Sequence, residues 1–304
     1  MVVGTSAPSL LPFARVHRLI TDYPGAPGVR RSKTLWHLSA EVSRIGGEGG
    51  GAQRRLEWGR PPAKPERIEA LQISARPAPG VQLPGWLREL PALKYLSLPL
   101  SWMRATTGDE IPPSAQVLEL AGAGTVTVPK QAKFPHVGFL MAYSGVLKFG
   151  PDSFPGIERL GLKLDPAQAM LDTVSALSGL RALHLGSVHA ASVFSRVGSL
   201  RLEYLGLSYG RLPNIEDIGL LSHLTSLQLK SLSCLESMEG VAGLPALEEL
   251  SIGYCTRLRD VSDVANIPRL RRLATLGMRD VGISAILPTL KTKGLEMHSL
   301  AGVI

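Results

Sequence analysis

From residue 66 onward, apolar residues recur along the chain in the pattern L-x-x-L-x-L. The clear copies are Ile68/Leu71/Ile73, Leu93/Leu96/Leu98, Ile157/Leu160/Leu162, Leu180/Leu183/Leu185, Leu202/Leu205/Leu207, Leu224/Leu227/Leu229 and Leu247/Leu250/Ile252. Weaker copies fill the gaps, at Leu118/Leu120, Val137/Leu140/Ala142, Leu273/Leu276/Met278 and Leu295/Met297. The third apolar positions of successive copies are 19 to 26 residues apart. This regular spacing indicates a repeat architecture.

The alternation inside each copy predicts a short β-strand, because L-x-L places two leucines on one side and the residue between them on the other. A single unit cannot bury its leucines, so the units must stack in parallel and form a continuous leucine spine. The rest of each unit returns the chain along the opposite side. A short helix is predicted in 167–178, whereas the Pro- and Gly-rich return 99–114 is not expected to hold one.

The repeated motif resembles that of leucine-rich repeat proteins, and the resemblance covers residues 66–304, about eleven repeats. The stretch 214–253, NIEDIGLLSHLTSLQLKSLSCLESMEGVAGLPALEELSIG, is similar to the repeats of bacterial internalins, and LPGWLRELPALKYLSLP resembles other bacterial repeats. The resemblance implies an α/β leucine-rich repeat solenoid, or horseshoe, with a parallel concave sheet and an irregular or short-helical convex side.

One position departs from the family pattern. Three residues after the last leucine, the family places an asparagine or cysteine whose side chain bonds to the turn backbone. Cys255 matches this position well, whereas Val188, Gly210 and Leu232 stand there in other repeats. We therefore expect the ladder of asparagine side chains to be missing and the coils to be irregular.

Residues 1–65 do not share the period and are predicted to form a basic N-terminal capping segment. Residues 33–59, KTLWHLSAEVSRIGGEGGGAQRRLEWG, read as two strands joined by a glycine-rich loop at 46–51. A β-hairpin that shields the open edge of the first coil is the simplest interpretation. No Gly-Lys-Ser/Thr follows the glycine run, so a flexible loop is favoured over a phosphate cradle.

Composition indicates a soluble protein with a substantial core, since 44% of the 304 residues are hydrophobic and 19% are charged. Two cysteines, Cys234 and Cys255, are too few for a disulfide scaffold or a clustered zinc site. The N-terminus lacks a basic region ahead of its apolar stretch, and no window is apolar enough to span a bilayer. We therefore expect a cytoplasmic protein without a metal or cofactor. The apolar last residues, SLAGVI, leave self-association open.

The strand positions that flank the second and third leucines are predicted to face solvent on the concave sheet. They hold Tyr95, Phe139, Met141, Tyr143, Arg159, Lys163, His184, Tyr204, Gln228, Lys230, Glu249 and Arg279. Tyrosine, methionine and arginine are enriched at protein interfaces, although tyrosine also simply suits exposed strands. The leading hypothesis is a non-enzymatic bacterial protein that binds another protein through this face. The resemblance implies a role as a scaffold, a recognition module or a toxin-neutralising protein.

Nucleic-acid binding is the first alternative, because the formal net charge is +8. Residues 1–65 hold 10 Lys or Arg against 4 Asp or Glu, which leaves 23 against 21 for the rest of the chain. The charge excess is therefore concentrated in the N-terminal segment. The predicted phosphate contacts are Arg30, Arg31, Lys33, Arg54, Arg55 and Arg60.

A serine hydrolase built on Ser208 is the second alternative, because GLSYG at 206–210 matches the G-x-S-x-G pattern. That motif requires a strand before the serine and a helix directly after it. Here Pro213 arrives before a helix can form. His223 and His298 are the candidate bases, but nothing in the spacing brings either one near Ser208. We therefore rank this alternative below nucleic-acid binding.

Overall fold

The structure, a computed structural model, describes residues 36–38, 54–56, 59–74, 77, 81–277 and 282–300, with the backbone alone considered at 36–38, 54–56 and 296–300. Short β-strands recur through these residues. They are β1 (Trp36–Leu38), β2 (Arg54–Leu56), β3 (Ala70–Ile73), β4 (Tyr95–Pro99), β5 (Val117–Ala121), β6 (Thr125–Thr127), β7 (Phe139–Ala142), β8 (Val146–Lys148), β9 (Arg159–Lys163), β10 (Ala182–Gly186), β11 (Tyr204–Gly210), β12 (Ser226–Leu232), β13 (Glu249–Gly253), β14 (Arg272–Leu276) and β15 (Glu296–Leu300).

Thirteen of these described strands form one sheet, in the order β15-β14-β13-β12-β11-β10-β9-β7-β5-β4-β3-β1-β2. Neighbouring strands run parallel throughout, and equivalent residues of successive repeats stand side by side: Leu183 pairs with Leu160 on one side and with Leu205 on the other. β6 and β8 form a separate two-stranded parallel sheet. Stacked coils of this kind confirm the predicted parallel solenoid.

The leucine spine forms the core, on the side of the main sheet that faces the return segments. Leu183, Leu205 and Leu227 are at most 1% exposed, as expected for the second leucine of the motif. The third leucine is equally buried, with Leu185 and Leu207 both at 0%. Each such side chain contributes about 1.5–3 kcal/mol by leaving water. The leucines of successive repeats therefore form one continuous, elongated core.

The predicted phase is wrong in the repeat that contains β14. Leu273 pairs with Leu250 and Thr275 pairs with Ile252, so Leu273 takes the second position of the motif and Thr275 the third. The sequence pattern had placed Met278 there. Because Thr275, at the third position, is polar, a search for apolar residues alone does not find the correct register of this repeat.

The same shift applies to the last described strand. Met297 pairs with Leu273, so it takes the second position and not the predicted third, which falls to Ser299. With third positions at 252, 275 and 299, the spacing becomes 23 and 24 residues. The repeat is therefore more regular than the sequence pattern suggested.

The returns on the convex side are short and mostly irregular, as predicted. Three are α-helical: α1 (Met170–Ser175), α2 (Val193–Val197) and α3 (Ile283–Thr292). Single 3₁₀ turns occur at Pro65–Arg67, Gly85–Glu89, Leu100–Arg104, Pro151–Ser153, Glu216–Leu220, Val241–Gly243 and Ser262–Asn266. The helix predicted within 167–178 is confirmed by α1, and the return 99–114 contains a 3₁₀ turn but no α-helix.

The predicted N-terminal β-hairpin is wrong. Both strands exist, but β1 pairs with β2 in parallel, and β1 also pairs in parallel with β3. A hairpin requires antiparallel strands, whereas parallel strands need a crossover of about a dozen residues or more, which the 39–53 connection is long enough to provide. The two strands therefore extend the main sheet at its first edge. The boundary at residue 65 stays a prediction.

A column of left-handed residues replaces the missing asparagine ladder at the turns. Ser187, Tyr209, Ser231 and Tyr254 have φ of 63°, 54°, 54° and 54°, and Gly277 continues the column at 57°. They lie 22 or 23 residues apart, at the same step of five consecutive coils. A non-glycine residue in this conformation costs about 1 kcal/mol or more. The turn thus depends on a left-handed residue at this position, and in four of the five coils that residue is not glycine.

Candidate binding face

The concave face is the side of the main sheet opposite the leucine spine. Each strand presents three positions there: one before the second leucine of the motif, one between the second and third, and one after the third. Ten of the twelve predicted site residues lie on strands at these positions, and Tyr143 directly follows β7. Arg279 lies outside the described residues. Eleven of the twelve predicted residues therefore lie on the concave face, at positions that the strand pairing defines.

Three of the predicted residues do not face solvent as expected. Tyr95, Phe139 and Met141 are 5%, 8% and 2% exposed. Side chains on the inner side of a curved sheet converge, and neighbouring strands lie about 4.8 Å apart, so large side chains shield one another. Half-buried positions are held by Arg159, Lys163, His184, Tyr204, Gln228, Lys230 and Glu249.

A polar and aromatic cluster is centred on His184, in the middle of β10. The ring of Tyr143 meets the His184 ring edge-on, with centroids 5.1 Å apart at 73°. His184 Nε2 lies 2.9 Å from Ser208 Oγ, and His184 Nδ1 lies 3.5 Å from the Tyr204 hydroxyl oxygen. Tyr204 donates a hydrogen bond to Gln228 Oε1 at 3.0 Å. The cluster thus spans the coils from β7 to β12.

Two glycines make room for this cluster. Gly161 and Gly206 occupy the middle positions of β9 and β11, where other coils carry side chains. A Cβ atom on Gly161 would overlap the Tyr143 ring, and one on Gly206 would overlap His184 and Tyr204. The Tyr143 ring and the Tyr204 hydroxyl therefore occupy space that a side chain would otherwise fill. This packing fixes their orientation in the free protein.

Burial shifts the protonation equilibria of the cluster. Burial and, to a smaller extent, the nearby Lys230 charge together lower the pKa of His184 to about 4. Burial also raises the pKa of the Tyr204 hydroxyl well above its usual value. Desolvation, with smaller contributions from Tyr204 and Glu119, does the same for the pKa of Tyr143. The ring of Tyr143 is nevertheless 36% exposed, so its edge meets solvent while its hydroxyl lies over Gly161. At neutral pH the cluster is uncharged.

Two further pairs lie on the face on either side of the cluster. The Tyr95 hydroxyl donates a hydrogen bond to Glu119 Oε2 on the next coil. Burial raises the pKa of the Glu119 carboxyl, against the opposing effect of that hydrogen bond. Towards the C-terminal end, Glu249 forms an ion pair with Arg272. Both carboxylates are therefore engaged within the protein.

The structure changes the chemical setting of Ser208. The histidine beside it is His184, which was not among the candidate bases. Ser208 is only 4% exposed and lies within β11, which continues to Gly210, so no helix follows the serine as the elbow motif requires. The Tyr204 hydroxyl hydrogen is directed at Gln228, which fits a neutral His184 that donates from Nδ1 and accepts from Ser208 at Nε2. The arrangement resembles a serine–histidine pair but lacks the helix that follows the serine in a nucleophile elbow.

The predicted nucleic-acid contacts lie mostly beyond the described side chains. Arg30, Arg31 and Lys33 lie outside the described residues. The backbone of Arg54 and Arg55 forms the outermost strand of the main sheet, and Arg60 is exposed. In the part of the chain that the structure describes, no group of three or more His, Cys, Asp or Glu could hold a metal ion, and no helix is long and apolar enough to cross a membrane.

Several further residues lie at the carboxyl ends of the strands, beside the predicted positions. The sequence places Tyr209 and Tyr254 one residue past the concave face, and neither is among the twelve predicted site residues. They are 60% and 45% exposed, more than any of the predicted tyrosines, and belong to the left-handed column. Arg211 and Arg257 lie beside the partly exposed thiol of Cys234 and lower its pKa, chiefly through a hydrogen bond from Arg211. Both cysteines are free thiols. Sequence reasoning missed these two arginines, of which Arg211 directly follows β11 and Arg257 lies four residues after β13.

No protein-family model matches the sequence, and a search of curated proteins finds no match. Among solved structures, the chain is similar to a leucine-rich repeat protein of Leptospira interrogans, at 15% identity over 77% of this chain and 67% of the other, with a TM-score of 0.46. An internalin of Listeria monocytogenes is 14% identical over 79% and 88% of the two chains, with a TM-score of 0.37. Internalin C2 of the same species is 15% identical over 71% and 74%, with a TM-score of 0.30.

The coil register identifies the fold independently of these similarities. The main sheet is parallel, its strands follow one another along the chain, and each coil contributes leucines to one spine. These are the features of a leucine-rich repeat architecture. The chain is a leucine-rich repeat solenoid.

Proposed function

We propose that the chain is a non-enzymatic, cytoplasmic protein-binding module that uses the concave face, in a recognition, scaffold or toxin-neutralising role. The observation that carries this proposal is the cluster of Tyr143, His184, Tyr204 and Gln228. Its side chains contact one another across four coils before any partner is present. Preorganised aromatic groups bury large areas at low entropic cost, which is how binding hot spots gain affinity.

The half-buried Lys163 and Lys230 lie on the same face as this cluster and add cationic groups beside its aromatic rings. An aromatic centre with a polar rim is common in protein interfaces. The cluster is also neutral at pH 7, so a partner can bury it without a large cost of desolvating charge. These properties favour a protein partner over a polyanion at the centre of the face.

The test is affinity capture from an extract of the source cells, using a tagged chain and two matched variants. Tyr143→Ala removes a ring on the concave face, whereas Leu220→Ala removes a side chain of similar exposure, 53%, from a convex return. Tyr95→Ala is a poor choice because that side chain is buried. We expect one specific protein to be lost with Tyr143→Ala and retained with Leu220→Ala, at unchanged melting temperatures. Equal recovery with both variants would argue against the concave face.

Nucleic-acid binding through the N-terminal segment predicts a different outcome of the same capture. Nucleic acid would then be recovered with both variants, and its recovery would fall steeply with salt, because each phosphate contact releases condensed counterions. Truncation of residues 1–35 removes Arg30, Arg31 and Lys33, three of the six predicted phosphate contacts, and would reduce that recovery.

A further inference from the structure

A group of cationic and aromatic side chains lies where β11, β12 and β13 end. It consists of Tyr209, Arg211, Lys230, Tyr254 and Arg257, which we call the basic rim. Tyr209, Arg211, Tyr254 and Arg257 are exposed, and Lys230 is half-buried. The five residues come from three consecutive coils, and neighbouring coils are about 4.8 Å apart at their strands. The basic rim is therefore one continuous surface beside the concave cluster.

The three cations of the basic rim lack the carboxylate partner that several arginines elsewhere in the described part of the chain have. Arg181 pairs with Glu203 at 3.6 Å, Arg196 with Asp172 at 3.5 Å and Arg271 with Glu248 at 3.9 Å. Within the described residues, no carboxylate lies at ion-pair distance from Arg211, Lys230 or Arg257. Their charge is thus not compensated by an ion pair, whereas that of Arg181, Arg196 and Arg271 is.

Two observations show that the cations lie close together. Arg211 and Arg257 both act on the thiol of Cys234, from the coils on either side of it, and both lower its pKa. Lys230 Nζ lies 6.0 Å from the centroid of the Tyr254 ring, a cation–π distance. The local potential is therefore positive across all three coils.

The two tyrosines are kept in place at an energetic cost. Tyr209 and Tyr254 both adopt left-handed backbone conformations, where glycine would be free of strain and where Gly277 stands in the next coil. The ring of Tyr254 lies so close to Gly277 that a Cβ atom at position 277 would overlap it. Strained non-glycine residues concentrate at functional sites. Here the strain holds two exposed tyrosine rings beside three unpaired cations.

We propose that the basic rim binds an acidic segment of a partner protein, with Arg211, Lys230 and Arg257 pairing its carboxylates and Tyr209 and Tyr254 packing on its backbone. This inference rests on the proposed function, since it names the chemistry of the partner. An extended peptide repeats same-side residues about every 6.8 Å, so its carboxylates can reach cations on neighbouring coils. Guanidinium groups bind carboxylates with two parallel hydrogen bonds.

The surroundings favour an acidic peptide over a nucleic acid. The chain from residue 66 onward is nearly neutral, with 23 basic against 21 acidic residues. A regular array of phosphates needs a longer positive surface than the three cations of the basic rim provide. A short acidic segment needs no more positive surface than the basic rim offers.

The test is fluorescence anisotropy of the full chain with a labelled deca-glutamate peptide, at about 50 mM salt, where exposed charges are weakly screened. The variant R211A/K230A/R257A removes the three cations of the basic rim. The control R181A/R196A/R271A removes three cations that have carboxylate partners, so both variants change the net charge equally. A second variant, Y209G/Y254G, removes the rings and relieves the left-handed strain. Circular dichroism melts confirm that every variant is folded.

We expect R211A/K230A/R257A to weaken peptide binding by about tenfold or more, Y209G/Y254G to weaken it without loss of stability, and the control to stay within about twofold. The proposal is overturned if the wild-type chain does not bind the peptide, or if the control loses as much affinity as the rim variant. It is also overturned if a ten-nucleotide single strand binds more tightly than the peptide through the same residues. None of these results alters the capture experiment with Tyr143→Ala, so the two proposals fail separately.

Discussion

His184 Nε2 lies 2.9 Å from Ser208 Oγ on the next coil, although 24 residues separate them in the chain. The contact follows from the coil register, which pairs Gly186 with Ser208 and so sets His184 diagonally beside it. It places an ionisable side chain in the middle of an uncharged cluster. The behaviour of His184 therefore reports on the integrity of the concave face.

The first prediction concerns stability against pH. Burial lowers the pKa of folded His184 to about 4, whereas the unfolded residue titrates near 6.5. Between these values the unfolded chain binds a proton that the folded chain does not, so the free energy of unfolding falls as the pH is lowered from about 6.5 to about 4. The loss due to His184 is at most about 3 kcal/mol.

The measurement is urea denaturation at pH 7, 6 and 5, with His184→Gln as the comparison. Glutamine keeps polar contacts but does not titrate, so H184Q should lose less stability over this range than the wild-type chain. The raised pKa of Glu119 acts in the opposite direction and is common to both proteins. Identical pH profiles would show that His184 is not desolvated in the folded state.

The second prediction concerns the hydrolase alternative. Ser208 lies within a strand and is 4% exposed, so we expect no reaction with a fluorophosphonate probe in spite of the neighbouring histidine. Intact-protein mass spectrometry, with a known serine hydrolase as positive control, gives the answer. An adduct on Ser208 that disappears in H184Q would establish a nucleophile and overturn the non-enzymatic account.

The third prediction concerns the thiol of Cys234. A hydrogen bond from Arg211 is the largest cause of its lowered pKa, and Arg257 contributes less. Arg211→Ala should therefore shift the pH midpoint of alkylation by iodoacetamide upward, and Arg257→Ala should shift it by a smaller amount. Peptide mass spectrometry separates Cys234 from Cys255, which is buried and whose pKa is raised by desolvation. An unchanged pH midpoint of alkylation in Arg211→Ala would contradict the proposal that the potential at the basic rim is positive.

The fourth prediction concerns the left-handed column. Tyr209→Gly relieves a strained φ but adds freedom to the unfolded chain, and the two effects of about 1 kcal/mol each nearly cancel. Gly277→Ala has no such relief, because it places a Cβ at φ 57° against the Tyr254 ring. We expect Tyr209→Gly to leave the melting temperature nearly unchanged and Gly277→Ala to lower it. The reverse order would contradict the assigned turn geometry.

The repeat period, the parallel solenoid and the inward leucines could be predicted from the sequence, because each depends on a local pattern repeated many times. The phase around Thr275 could not, since a polar residue at a leucine position breaks that pattern. The parallel pairing of β1 and β2 was missed because a glycine-rich loop by itself favours a hairpin. Local patterns thus predict the regular coil, but they do not predict the coils in which a motif position or a strand pairing departs from it.

The faces of the strands were predictable, but the environment of each side chain was not. Tyr95 lies on the predicted face and is buried, because curvature brings neighbouring side chains together. His184 was assigned to the face, yet its contact with Ser208 requires the exact alignment of two coils. Tyr209 and Tyr254 could be placed one residue past the face, but their backbone conformation could not be predicted, because a left-handed turn without glycine leaves no signal in the sequence.

The most direct test of the binding proposal places a photo-crosslinking amino acid at single positions of the tagged chain. One protein carries it at Tyr143 on the concave face, another at Tyr209 on the basic rim, and the control carries it at Leu220 on a convex return. After irradiation in extract of the source cells, the account predicts a covalent adduct with the same protein from positions 143 and 209 and none from 220. An adduct formed from 220 alone would contradict it.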